Sequence, residues 1–512
     1  MITSSPCPRP LTPRRAARWS ARQLIAPLAL WLAGFAASAG AAEALPASVT
    51  QALARAKVPA GSVAMAVVPL PPGPLKPDGK RPAAPALRLD WRSGEPMNPA
   101  SVMKLVTTYA GLDLLGTGYF WKTRVFAQGD VQDGVLHGDL LIQGGGDPKL
   151  VRERIEDLLR AIADKGVRKI DGDILLDNSV FSLPPHDAAA FDDDPLRPYN
   201  AGPDGLLLNF KALMFKFVPD AANGKVRVES EPPIAGVAIP AEVPIALGTC
   251  GDWRARLAAN FRDPERVTFA GSYSPSCGQQ TWGVAYADPA SYAPRVIDAM
   301  WRAAGGELSG QVKWQNGVSP GQPLVTGYSL PLISIVEDIN RFSNNVMAQQ
   351  LFLTMSAAGG QPGNFDSSRS ALMRWWRERI GTRAAVPLVV NGSGLSRSER
   401  ISAAALTALL QHAAASAHAQ AFEQSLPLAG SADAPARGLA ARNPASPAIG
   451  RARLKTGTLR DVAAVAGYVQ GRSGQRYAIA ALINHPNADA ARPALDKLVE
   501  WVVDDLPRTA KR

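Results

Sequence analysis

Residues 98–116 run NPASVMKLVTTYAGLDLLG. Asn98 is of the type that caps a helix and Pro99 suits a first helical turn, so the stretch predicts a helix. Met103, Leu105, Val106, Tyr109, Leu112 and Leu115 supply the apolar surface that buries it. Ser101 and Lys104 are three positions apart and share a face of that helix, within reach of one another. Unpaired backbone N–H groups at the first turn surround the serine. A serine with a neighbouring amine and N–H donors is the minimum kit for acyl transfer. On its own, however, Ser-x-x-Lys occurs about once by chance in a chain of this length, and a lysine on such a helix is ordinarily a surface residue. An ordinary lysine is also protonated at neutral pH. Burial or a second cation must depress its pKa before it can act as a base.

The 512 residues allow two or three domains, and 46% hydrophobic content allows a substantial core. Residues 1–42 stand apart from it. Arg9, Arg14, Arg15, Arg18 and Arg22 precede an apolar run from Leu24 to Ala37, and small residues follow. This pattern predicts a secretory signal peptide cleaved near Ala41 or Ala42, and hence a periplasmic protein. The flanks of the Arg14-Arg15 pair do not fit a twin-arginine signal. No later apolar stretch is long enough to span a bilayer, so no stable membrane anchor is expected. Five of the eleven excess positive charges lie in the leader. What remains is modest and no basic run is interleaved with aromatics, which argues against nucleic acid as a partner. Cys7 lies in the leader, leaving Cys250 and Cys277. In an oxidising compartment these are expected to pair, the alternative being two buried thiols. His137, His186, His412, His418 and His485 occur without a partner motif, and neither zinc-ligand spacing nor a phosphate-binding loop is present. No metal or cofactor is expected.

Along the chain, GSVAMAVVPL and ALRLDWRSG predict two strands separated by a proline-rich excursion, with the Ser101 helix next. TRVFAQG and GVLHGDLLIQG predict strands, and RERIEDLLRAIADKG predicts a helix with Ile155, Leu158, Leu159 and Ile162 on one face and Gly166 as its stop. In the strand that follows, Gly172-Asp173-Ile174-Leu175-Leu176 echoes Gly138-Asp139-Leu140-Leu141-Ile142, too short an echo to establish a repeat. From about Lys225 to Asp288 a small β-rich unit holds both remaining cysteines. Helical patterns resume at SYAPRVIDAMWRAAGG and SLPLISIVEDINRFSNNVMAQQLFLTM. DVAAVAGYVQ and QRYAIAALIN predict a hairpin, and PALDKLVEWVVDDL a terminal core helix. Strands near both ends with helices between predict an α/β (α+β) domain whose sheet joins the two ends and which an insertion interrupts. The expected divisions are 43–125 and 289–512 for that domain and 126–288 for the insertion.

Two further stretches concern the second cation. Lys455-Thr456-Gly457-Thr458 precedes the hairpin, and a lysine and two hydroxyls beside a glycine would form a receptor for a carboxylate. Ser343-Asn344-Asn345 reads locally as a helix boundary with polar caps. In order, SxxK, SxN and KTG resemble the signatures of the penicillin-recognising serine enzymes. Ser101 and Ser343 are 242 positions apart, with another 112 to Lys455. The long first interval is similar to that of the D-alanyl-D-alanine carboxypeptidase/endopeptidase family, the class C low-molecular-mass penicillin-binding proteins or S13 peptidases. GDLLIQGGGDPKL, NGSGLSRSERIS and SLPLAG fit it too.

The resemblance implies a transpeptidase-like domain with a five-stranded antiparallel sheet and a helical subdomain, interrupted by two inserted domains. It implies that Ser101, Lys104, Ser343, Asn345 and Lys455 meet in one cleft. Ser101 is then the nucleophile, Lys104 its base and Ser343 a proton relay held between the two lysines. Asn345 binds the peptide portion of the substrate, Lys455, Thr456 and Thr458 hold its terminal carboxylate, and the N–H groups of Ser101 and Thr458 form the oxyanion hole. The implied partners are peptidoglycan peptide stems, with β-lactams as covalent inhibitors. Two alternatives remain open at this point: a serine β-lactamase on the same fold and a non-catalytic peptidoglycan-binding protein.

Overall fold

The structure is a computed structural model that describes residues 44–71, 89–317, 321–431 and 438–506. The predicted leader and the proline-rich excursion lie outside the described residues, apart from the excursion's margins.

Alternating small and β-branched residues build the sheet that carries the site. Its strands lie in the order Ala452–Leu459, Val462–Gln470, Arg476–Asn484, Val63–Pro69 and Leu89–Trp91. All neighbouring pairs are antiparallel, with Val63 opposite Ile483 and Val462 opposite both Leu459 and Asn484. Because side chains alternate between faces, one face presents Ala64, Ala66, Ala464, Ala466, Ala478 and Ala480 to a helical layer. The other presents Val63, Val67, Val465, Ile479 and Ile483 to the helices Ala47–Arg55 and Arg492–Val503. Alanine on the first face lets the helices approach closely.

That layer contains Lys104–Leu115, Leu332–Phe342, Asn345–Ala357, Phe365–Arg379 and Ala403–Ala414. The α-helix expected from Asn98 starts later than its sequence signals suggest. Asn98 Oδ1 does accept from the Ala100 N–H, but Ala100–Met103 form a 3-10 turn and the α-helix begins at Lys104. The long helical pattern around Ser343 is two helices. Ser343 breaks it with a left-handed backbone (φ 55°), and the Asn344 side chain caps the next helix by accepting from Met347 N–H.

A second core surrounds a seven-stranded sheet in which Lys122–Gln132 and Val135–Gln143 are the longest strands. The predicted face of Arg152–Asp164 is buried there. The Gly-Asp echo has a structural counterpart: Leu140, Leu141 and Ile142 lie beside Ile174, Leu175 and Leu176 in parallel register. Asp139 Oδ1 accepts from Asp173 N–H, and Asp173 Oδ1 from Gln311 N–H, repeating one turn across three strands. Between these segments lies a four-stranded sheet that starts at Ala212 rather than near Lys225. Cys250 and Cys277 are joined in a disulfide beside it.

The expected return at residue 289 comes too early. Helix Pro289–Ala303 buries Val296, Ile297, Met300 and Trp301 in the second core, and Val312–Trp314 and Val325–Tyr328 pair within its sheet. The other expected boundary, at 125, falls inside the strand Lys122–Gln132. The amphipathic pattern of 289–303 fits either core; its strand partners decide which. Among the described residues, no helix is long and apolar enough to cross a membrane.

Candidate active site

The turn Ala100–Met103 sits against the edge strand Ala452–Leu459, and two glycines permit the approach. A Cβ on Gly457 would lie 2.4 Å from the Pro99 carbonyl oxygen and 3.2 Å from Ser101 N. From the opposite loop, a Cβ on Gly394 (φ +79°) would lie 2.0 Å from the Ala100 carbonyl oxygen. Ala100 itself has a left-handed backbone (φ 48°), a conformation that costs a non-glycine residue of order 1 kcal/mol or more. The backbone on either side of Ser101 is therefore held by close packing. Leu428 bridges Arg453 at the start of the edge strand, so SLPLAG covers that half of the edge.

Lys104 is fully buried. Its Nζ lies 3.0 Å from Ser101 Oγ, 2.6 Å from Asn345 Oδ1 and 2.5 Å from the Ser393 carbonyl oxygen. The last two partners can only accept. A neutral lysine amine has two N–H bonds and one lone pair, so donating to Asn345 and Ser393 leaves the lone pair facing the one partner with a proton to give, Ser101. Asn345 is fixed in the accepting orientation because its Nδ2 donates to the Tyr199 carbonyl at 3.1 Å.

Electrostatics favours that neutral form. Burial holds the Lys104 pKa well below the ordinary lysine value, the Lys455 charge acts in the same direction, and Glu399 opposes both. The depression demanded by the sequence thus comes from both sources, with burial the larger. Lys455 is 2% exposed, and burial pushes its own pKa down to about 7. Its Nζ donates to Ser343 Oγ at 2.9 Å and to the Thr456 carbonyl at 3.0 Å.

The predicted residues converge, with differences in detail. Ser343 is bonded to Lys455, whereas the partners of Lys104 are Ser101, Asn345 and Ser393. The Asn345 side chain, expected on the substrate, has both ends engaged by protein. Thr456 is half-buried. Thr458 is exposed at the strand's end, where its hydroxyl oxygen accepts from Arg492 Nη2 at 2.9 Å.

Sequence reasoning did not single out Glu399 or Ser393, both within NGSGLSRSERIS. Glu399 is fully buried, and its Oε1 accepts from three successive N–H groups, those of Val390, Asn391 and Gly392. Burial raises its pKa against the pull of those amides and of Lys104. This anchor shapes the loop that offers the Ser393 carbonyl to Lys104. Arg397, in the same loop, stacks over the Phe191 ring at 4.4 Å, a contact between segments far apart in sequence.

A serine hydroxyl bonded to a buried amine, with a second lysine–serine pair on the neighbouring elements, is the arrangement that serine acyl transfer requires. The chain belongs to the D-Ala-D-Ala carboxypeptidase 3 (S13) family, which it matches over residues 85–504. It is 25% identical over 413 residues to the D-alanyl-D-alanine carboxypeptidase DacB of Haemophilus influenzae, covering 77% of this chain and 82% of that one. It is 27% identical over 409 residues to the D-alanyl-D-alanine carboxypeptidase of Actinomadura sp. strain R39, covering 75% and 72%. The fold is similar to that of crystalline penicillin binding protein 4 (dacB) from Haemophilus influenzae, with a TM-score of 0.67 and 22% identity over 88% of this chain and 99% of that one. Like its family, the chain is a serine-type D-Ala-D-Ala peptidase.

Proposed function

We propose that the protein hydrolyses D-alanyl-D-alanine ends, D-alanyl cross-links, or both, in peptidoglycan stems, through an acyl-enzyme on Ser101. The observation that carries the mechanism is the set of three partners around Lys104, which directs its lone pair at Ser101.

Ser101 Oγ attacks the carbonyl carbon of the D-alanyl bond while Lys104 Nζ accepts the hydroxyl proton. The N–H groups of Ser101 and Thr458 hold the resulting oxyanion, and removing one such donor typically costs about 10²–10³ in rate. Collapse of the tetrahedral species breaks the C–N bond, and the Ser343 hydroxyl passes its proton to the departing amine and recovers one from the Lys104 ammonium, which returns to the neutral amine. Lys455 holds Ser343 in place for that transfer. Thr456 and Thr458 receive the terminal carboxylate. Asn345 acts on Lys104, accepting from its amine so that the lone pair stays directed at Ser101. Water, deprotonated by Lys104, then attacks the ester and releases the shortened stem. The same acylation traps β-lactams as covalent inhibitors.

The reading includes export to the periplasm after removal of residues 1–42. The disulfide between Cys250 and Cys277 supports an oxidising compartment. Incubation with defined monomeric pentapeptide and cross-linked muropeptides, with the products separated, tests the function. Free D-alanine or resolved cross-links are expected from the wild type and not from Ser101→Ala. Intact substrates in both samples would contradict the proposal.

A further inference from the structure

The carboxylate receptor has a member that the KTG signature does not contain. Lys455, its nominal cation, is buried and already donates to Ser343 and to the Thr456 carbonyl. At the exposed end of the same strand, the Thr458 hydroxyl oxygen accepts from Arg492 Nη2. Arg492 opens the helix Arg492–Val503 and its side chain is only 19% exposed. Its Nε donates to Asp489 Oδ1 at 2.7 Å, which fixes the plane of the guanidinium, while the Asp489 carboxylate is 83% exposed and screened by water. Arg492 and Thr456 also line the same small cavity beside the strand.

A hydroxyl group has one proton and two lone pairs. An arginine can only donate, so when Arg492 fills one lone pair of Thr458, the hydroxyl proton must point elsewhere. Thr458 then offers a donor next to a charge that is not lost at any working pH.

We propose that Arg492 is a positioning and specificity residue for the substrate's terminal carboxylate: it sets Thr458 as a hydrogen-bond donor and supplies the receptor with a permanent positive charge. The inference rests on the D-alanyl peptidase reading. It predicts selectivity for a free carboxylate over the corresponding neutral ester.

Two probes separate this role from a structural one: a fluorescent penicillin with its carboxylate free, and the methyl ester of the same compound. The second-order acylation rate of each is measured on wild type, Arg492→Gln and Arg492→Lys. Arg492→Gln is expected to lower the free-acid rate about tenfold, the loss of a charge-assisted contact, and the ester rate less than about twofold. Arg492→Lys, which keeps the charge without the planar fork, recovers part of the free-acid rate. Equal losses for both probes, or no loss for either, overturn the inference. A wild-type protein that takes neither probe overturns the peptidase reading itself.

Discussion

Replacing Gly457 by alanine tests whether the serine turn and the edge strand act as one preset unit. The new Cβ would stand 2.4 Å from the Pro99 carbonyl oxygen, 3.1 Å from Ala100 Cβ and 3.2 Å from Ser101 N. The nearest atom is backbone on a turn already packed under Gly394, so no flexible side chain can yield. The gap between strand and turn must open by about 0.6–1 Å to restore ordinary contact, at a stability cost of about 1–3 kcal/mol. That opening separates Ser101 N from Thr458 N, the two proposed oxyanion donors. A displacement near 1 Å at a reacting centre costs about 10²-fold, similar to the loss of one oxyanion donor. Stopped-flow acylation by a fluorescent penicillin, with circular dichroism to verify folding, is the assay. A folded Gly457→Ala protein that acylates within about threefold of wild type would refute the reasoning.

Lys104→Met should abolish measurable acylation while the melting profile stays cooperative, and rapid labelling of that variant would remove Lys104 as the base. In the wild type, acylation should fall as acidification protonates Lys104 through its depressed pKa, and a rate that is flat or rises toward acid pH would count against a neutral amine. Lys455 has a folded pKa of about 7 against an ordinary 10.5. Between those values the unfolded chain binds a proton that the folded chain does not, so this group's contribution to stability rises with pH from 7 toward 10. Thermal melts across that range should show a steeper rise in the wild type than in Lys455→Met, which keeps the slope that the depressed pKa of Lys104 contributes. Reducing the Cys250–Cys277 bridge, which closes a loop with a sequence separation of 27 residues, should destabilise the second core by about 3–4 kcal/mol in the chain-entropy treatment. Equilibrium denaturation with and without reductant measures this, and acylation by folded protein should persist.

The chemistry was legible in the sequence where function needs local spacing. Ser101 and Lys104 lie one helical turn apart, and Lys455 through Thr458 lie along one strand, so either pattern can be found within a few residues. Ser343 is harder to find. Its polar run reads locally as a helix boundary, and the structure breaks the helix there, but a boundary serine gives no local sign that its hydroxyl meets Lys455, 112 residues on. Glu399 was invisible because its partners are backbone amides seven to nine residues away, whose convergence depends on the loop's turns. Arg492 reaches Thr458 only after a hairpin and a terminal helix fold back across the sheet. The boundary at 289 failed for a related reason. An amphipathic helix declares that one face is buried, and which core buries it is decided by strands as short as Val312–Trp314.

Peptide mapping by mass spectrometry after brief exposure to penicillin tests the central claim most directly. The account predicts one penicilloyl group per molecule on the hydroxyl of Ser101, formed more slowly as the pH falls and absent from Lys104→Met. Modification of any other residue, or a Lys104→Met protein labelled as fast as wild type, would contradict it.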